Sequence, residues 1–511
     1  MYPGTHAANR PDKPALVMAS TGQVVTYAQL EHNSRQIAHL FGELGLRRGD
    51  HIAVVSTNEA RIFEIYWAAL RTGLYITAVN SHLTAAEVAY IVGDCEAKAV
   101  FFSASMAKIA VDAELHAATP RVLLRLSFGG DIQGHRRLET LMQTMPTTEP
   151  VDQPRGADML YSSGTTGKPK GIEPTLPDRQ VGDPGDTMTA LARDRWSFDA
   201  DTVYLSPAPL YHAAPLRTCA AVQALGGTVV VMDRFDAERA LELIEAYRIT
   251  HSQWVPTMFV RMLKLDKHIR TKYDVSSLRV AIHAAAPCPV EVKHAMIDWW
   301  GPILLEYYSS TELNGMTLIS SQEWLRKPGS VGRDNVLGTA HICDDDGREL
   351  PPNEVGVLYF ERDSLPFRYH NDPDKTAKAQ HPQHPTWTTT GDVGYLDEDR
   401  YLFLTDRKSF MIISGGVNIY PQEIENCLTM HPQVLDIAVI GEPDPDLGES
   451  VLAVVQRDTD DHDHDNVIEQ SLRTLAADRL ARYKQPRRYL FVDQLPRTPT
   501  GKLAKHRIVT P

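Results

Sequence analysis

The run Tyr161-Ser162-Ser163-Gly164-Thr165-Thr166-Gly167-Lys168-Pro169-Lys170-Gly171 packs four hydroxyls, three glycines and two lysines into one short stretch. Glycines let backbone amides turn inward, and hydroxyls and ammonium groups add donors, which together suit a polyphosphate. It is not a Walker A loop, because Ser162 stands where that pattern needs glycine and Pro169 where it needs Ser or Thr. Elsewhere, Asp392 follows Thr390-Gly391 and offers two acceptor oxygens to a pair of hydroxyls. Glu312 is a hard oxygen ligand of the kind magnesium accepts alongside phosphate oxygens and water. Tyr308 presents a flat ring, Arg407 a fixed cation and Lys502 an ammonium group. Taken singly, each has a plainer role: turn aspartate, surface carboxylate, core tyrosine, surface ion pair, solvated lysine.

Taken together and in this order, these segments resemble the adenylate-forming superfamily of acyl- and aryl-CoA ligases, luciferases and adenylation domains. Tyr161–Gly171 resembles its phosphate loop, and Pro209-Leu210-Tyr211-His212 the segment bordering the acyl pocket. Glu306-Tyr307-Tyr308-Ser309-Ser310-Thr311-Glu312 resembles the adenine-and-magnesium motif, and Thr390-Gly391-Asp392 with Asp406-Arg407 the ribose-binding pair. Pro499-Thr500-Gly501-Lys502 resembles the loop that carries the catalytic lysine. The resemblance spans the chain and implies ATP, Mg2+ and coenzyme A as cofactors, with Thr166 and Glu312 toward the metal. It implies that a small carboxylic acid and ATP give an acyl-adenylate, with Lys502 stabilising the charge at the α-phosphate and Thr311, Glu312 and His212 beside it. Transfer to CoA follows, with Ser414-Gly415-Gly416 along the thiol's path and Ala285-Ala286 near adenine. A stand-alone amide ligase passing the acyl group to an amine is the alternative. His212 borders the acyl pocket or packs as a core histidine, and Arg217 meets a polar group on the acid or lies at the surface.

Some positions depart from the family pattern. Ser309 replaces a small glycine or alanine and adds a hydroxyl near substrate, and Ser409 stands at the hinge where Asp or Lys is usual. The stretch 173–186, EPTLPDRQVGDPGD, is too rich in Pro, Gly and Asp for the expected apolar helix entry, so we expect an irregular surface excursion there.

Short apolar runs position these residues: 51–57, 98–102, 121–126 and 227–232 read as buried strands, with helical spacing at 237–248 between them. That alternation predicts parallel α/β layers, and from about 340 turn-separated strands predict a more antiparallel, β-rich region. The expected fold is α/β: a large N-terminal domain, 1–405, of layered α/β subdomains, and a small mobile C-terminal α+β domain, 406–511, hinged about 406–409. In the latter, 421–431 reads as helix, 434–441 and 449–457 as strands and about 466–483 as a long helix. The acidic stretch 458–466, with His462 and His464, reads as a solvated loop.

With 511 residues, 43% hydrophobic and 23% charged, the chain has the composition of a folded protein of more than one domain. A net charge of −13 argues against a nucleic-acid surface. Five dispersed cysteines suit a reducing cytoplasm, and no run is long enough for a membrane span. A homodimer is compatible with the resemblance.

Overall fold

The computed structural model describes residues 1–162, 169–407, 410–415, 417–457, 465–497 and 503–508, by backbone only at 335, 406, 407, 418 and 506. The chain packs as two units. One comprises Met1–Trp254, Lys267–Ile282 and Pro366–Thr376, and the other Val255–Asp266, His283–Leu365 and Ala377–Pro511.

In the first unit, a wholly parallel six-stranded sheet runs in the order 136–137, 124–128, 99–103, 51–55, 75–79, 157–158. Strands His51–Val55 and Ala99–Ser103 are buried at every position, as expected of strands covered on both faces. Helix Ala85–Asp94 starts on a capping box, in which Thr84 accepts from the Glu87 amide and Glu87 reaches back to Thr84. Its apolar face, Val88, Ile91 and Val92, joins the core that includes Val55, Phe102 and Leu115. A second layer is parallel through His251–Trp254, Val203–Ser206, Thr228–Val231 and Pro14–Met18, with Val24–Thr26 as its antiparallel edge. A third, small sheet pairs Lys170–Pro174 antiparallel with Leu160–Ser162 on one side and Phe367–Tyr369 on the other.

Two expectations shift here. The run at 121–126 enters its strand only at Leu124, because Leu123 is exposed and the strand extends to Phe128. The stretch 173–186 is not simply a surface excursion: it opens as the end of strand Lys170–Pro174, Glu173 and Val181 are buried, and Asp186 caps helix Thr187–Trp196. Asp186 accepts from the Thr189 amide at 2.8 Å and pairs with Arg155 at 2.9 Å, so the terminal DPGD is helix-starting chemistry.

In the second unit, Leu304–Ser309 pairs antiparallel with Met316–Ser320, which pairs with Arg333–Leu337. The antiparallel region expected past 340 is a sheet in the order 339–343, 356–361, 392–396, 402–407, with 387–388 also on 356–361. Beyond it, Val434–Asp444 and Gly448–Arg457 form a long hairpin with Arg488–Val492 parallel to the second strand. Helices Pro421–Leu428 and Asp465–Arg479 bury Ile424, Leu428, Ile468 and Leu472 against it. This α+β arrangement matches the expectation for the C-terminal region. Residues 458–464, including His462 and His464, lie outside the described residues, as does Ser409. Among the described residues no helix is long and apolar enough to cross a membrane.

Candidate active site

The two ends of the phosphate-ligand run lie on paired antiparallel strands. Tyr161 and Ser162 end one strand, Lys170 and Gly171 begin the next, and Ser162 faces Lys170 across the ladder. Ser163, Gly164, Thr165, Thr166, Gly167 and Lys168 lie outside the described residues. The base is firmly held. The Tyr161 hydroxyl donates to Asp94 at 2.5 Å, and the Tyr90 hydroxyl donates to the Pro169 carbonyl at 3.1 Å. The Lys170 ammonium sits 4.9 Å from the centre of the Tyr369 ring. Burial pushes the Tyr161 hydroxyl far above its ordinary value, with the Asp94 carboxylate adding to it, so Tyr161 acts as a neutral donor.

In the same unit His212 is the residue before helix Ala213–Leu225, its ring 4.5 Å from that of Tyr211. Arg217, one helical turn on, points its guanidinium at Asp158: Nε and Nη2 lie 2.8 and 2.7 Å from the same carboxylate oxygen, with both side chains about nine-tenths buried. Its charge is thus met from within the protein. Trp254 is fully buried and donates to the Ser252 hydroxyl at 2.7 Å.

The second unit gathers the nucleotide-type residues on strand Leu304–Ser309 and the turn after it. Residues of one parity share a face, so Glu306 and Tyr308 lie on the same side. The Glu306 carboxylate is taken up by Lys293 at 2.5 Å in full burial, which leaves its backbone as the part available to a ligand. Burial raises the Glu306 carboxyl, and Lys293 opposes only part of that rise. Tyr307 is buried. The Tyr308 hydroxyl donates to Asp392 Oδ2 at 2.6 Å while its ring stacks at 25° on Phe360, and together these fix the plane of the ring. Thr390 donates to the same Asp392 oxygen at 2.8 Å, and Arg407 faces Asp392 across the adjacent strand. Tyr308, Asp392 and the backbone of Arg407 are therefore brought together.

Sequence reasoning missed what shapes the turn holding Thr311 and Glu312. The Ser309 hydroxyl, expected near substrate, donates to the Gly315 carbonyl at 2.7 Å, and Ser310 donates to the Asn314 side chain at 2.9 Å. Arg362 donates to the Leu313 carbonyl at 2.9 Å, and Leu313 sits at φ 50°, a left-handed conformation that a leucine adopts only when its surroundings impose it. A Cβ on Gly315 would lie 1.9 Å from the Phe360 ring, so only glycine fits. The dipeptide Asn314-Gly315 was the available signal. Ala285 and Ala286 are exposed after strand Val280–His283, and Ala285 holds φ 76°.

Farther along the second unit, Gly415 (φ 57°) tips the hairpin Ile412–Ser414/Val417–Ile419. Its amide donates to the Leu447 carbonyl at 2.8 Å, while Gly416 and Lys502 lie outside the described residues. Among the described residues no group of three or more His, Cys, Asp or Glu gathers as a metal cage. A single turn carboxylate, Glu312, fits Mg2+ held mainly by phosphate oxygens and water.

The family model for the AMP-binding enzyme matches residues 4–369, and that for the AMP-binding enzyme C-terminal domain matches residues 423–502. The long-chain-fatty-acid–CoA ligase FadD13 of Mycobacterium tuberculosis is 32% identical over 506 residues, covering 97% of this chain and 94% of that protein. The anthranilate CoA ligase AuaEII, solved with anthranoyl-AMP, shares the fold at a TM-score of 0.84 and 22% identity over 99% of this chain and 95% of its own. The amide bond synthetase McbA from Marinactinospora thermotolerans superposes at a TM-score of 0.80 and 28% identity, covering 99% of this chain and 98% of its own. With a family match over most of its length and FadD13 similar across nearly all of it, the chain belongs to the AMP-binding enzyme family.

Proposed function

We propose that the chain is an AMP-forming acid–thiol ligase. A carboxylate oxygen attacks the α-phosphorus of ATP, pyrophosphate leaves, and the acyl-adenylate then passes its acyl group to the thiol of coenzyme A, releasing AMP. The observation that carries this reading is the meeting of Tyr308, Asp392 and the Arg407 backbone, a nucleoside-type constellation in a chain of this family. Asp392 would accept from the ribose hydroxyls, Tyr308 would offer its ring to adenine, and Ala285-Ala286 would permit close approach. The phosphate hairpin from Ser162 to Lys170 would hold the polyphosphate. Glu312 and Thr166 would hold Mg2+, which when bound neutralises phosphate charge. Lys502 would stabilise the charge that develops where two anions meet, a contribution realised in the transition state rather than in the separated substrates.

The similarity to FadD13 supports coenzyme A as acceptor, and a hinge about 406–409 would let Ser414-Gly415-Gly416 flank the thiol. The similarity to McbA supports a second reading in which an amine takes the acyl group. Because Asp158 meets the Arg217 charge, the acid we propose is a medium-sized acyl or aryl acid with no second anionic group. Five free thiols support a cytoplasmic setting.

The test is ATP–pyrophosphate exchange across fatty and aromatic acids, followed by product identification with CoA and amines supplied separately. Thioester plus AMP is the expected outcome, and amide without thioester would replace the acceptor. Lys502→Ala should lower exchange by about 10²–10³. An unchanged exchange rate would remove Lys502 from the chemistry.

A further inference from the structure

The stretch after Gly171 departs from the family pattern, and its first buried charge is Glu173 on strand Lys170–Pro174. Its carboxylate accepts from His370 Nδ1 at 2.6 Å and from Arg368, the residue it faces across the ladder. The His370 amide donates to the Gly171 carbonyl at 2.9 Å, and Asn371 donates to the Asp94 carbonyl at 3.2 Å. Residues 368–371 thus fasten the strand that leaves the phosphate hairpin, while Asp94 and Tyr90 fasten the hairpin's base through Tyr161 and Pro169. Burying a carboxylate costs several kcal/mol unless it is fully hydrogen-bonded, so a strand that only needed packing would be served by an apolar residue.

We infer that Glu173 is a positioning residue for the phosphates of ATP: with His370 and Arg368 it locks the strand that leaves the phosphate hairpin, and it does so more tightly when His370 is protonated. The inference rests on the ATP-dependent reading above. The hydrogen bond to Glu173 raises the His370 pKa, burial opposes it, and the charges of Glu173, Asp94 and Glu96 add to the rise. The groups facing His370 are Glu173, Asp94, Glu96 and His51, whose ring lies 5.2 Å away with Asp50 beside it, while Arg368 shares the Glu173 carboxylate. Burial, then the His370 charge, pushes His51 down to about 4, so His51 stays neutral while His370 titrates. Because the His370 value is raised, the tightening is complete below the ordinary value of 6.5 and is lost as pH rises through the folded value.

The experiment is pyrophosphate exchange with the full chain, reading KM for ATP and kcat from about pH 5 to 8, beside amide hydrogen exchange of residues 170–173. Glu173→Gln should raise KM for ATP about tenfold, the scale of a lost charge-assisted hydrogen bond, change kcat far less, and speed amide exchange in that strand. In the wild type, KM for ATP should rise as pH rises through the His370 value, and His370→Gln should flatten that profile. Arg368→Gln, on an exposed side chain, keeps the profile and serves if Glu173→Gln does not fold. A Glu173→Gln protein that is less stable yet keeps the wild-type KM and pH profile would overturn the proposal. Unchanged amide exchange at 170–173 would overturn it too, and that readout stands even if no acid supports exchange in the wild type, a result that counts against the parent reading.

Discussion

Two buried glutamates, one in each unit, show how surroundings set the behaviour of one side-chain type. Glu173 is held well below the carboxylate range, at about 2: burial pushes it up, but the hydrogen bonds and charges of His370 and Arg368 outweigh that. Glu306 goes the other way, because burial raises it and Lys293 offsets only part. Two donors at an edge where the Arg368 side chain still reaches water beat desolvation, and one fully enclosed donor does not. A carboxylate's ion pair therefore says little about its charge until the surrounding solvent is known.

The contrast can be broken most sharply at Lys293. Lys293→Met leaves Glu306 enclosed without its partner and should cost about 3–5 kcal/mol in urea unfolding, whereas Lys293→Met with Glu306→Leu should restore most of that loss. A single variant as stable as the wild type would mean that Glu306 carries no charge. Glu173→Gln should cost less, about 1.5 kcal/mol by the same measurement, since an amide keeps the shape and one acceptor.

Acid titration of stability separates the two glutamates by sign. The Glu173 contribution is present above 4.5, its ordinary value, and is lost as pH falls toward about 2. The Glu306 contribution is present below 4.5 and is lost as pH rises through its raised value. Comparing each Gln variant with the wild type across that range should give slopes of opposite sign, and parallel slopes would dissolve the distinction. The smallest effect is expected at Arg368→Gln, at most about 1 kcal/mol, because its side chain is 68% exposed. A larger loss would shift the lock's weight from His370 to Arg368.

How much was legible in the sequence follows from where each residue finds its partners. The hairpin base and the pairing of Asp392 with Arg407 are local, and hydroxyl, glycine and charge types announce them. Glu173 was unreadable: a glutamate among Pro, Asp and Gly reads as exposed, and its partners lie 195 and 197 residues away. The Lys293–Glu306 pair hides in the same way, since a helix lysine reads as solvated. The sequence points the Ser309 hydroxyl toward substrate because its nearest acceptor, the Gly315 carbonyl, exists only once the turn closes.

Ala285, at φ 76°, is a place where the fold is indifferent to what the side chain does. A left-handed alanine costs about 1–2 kcal/mol, so glycine would relieve it. Glycine also loosens the unfolded chain by about 0.4–1 kcal/mol, which cancels much of the gain. A change between the two is therefore close to silent for thermal tolerance. Drift between alanine and glycine here would leave abundance untouched, so abundance carries no record of which of the two stands at residue 285.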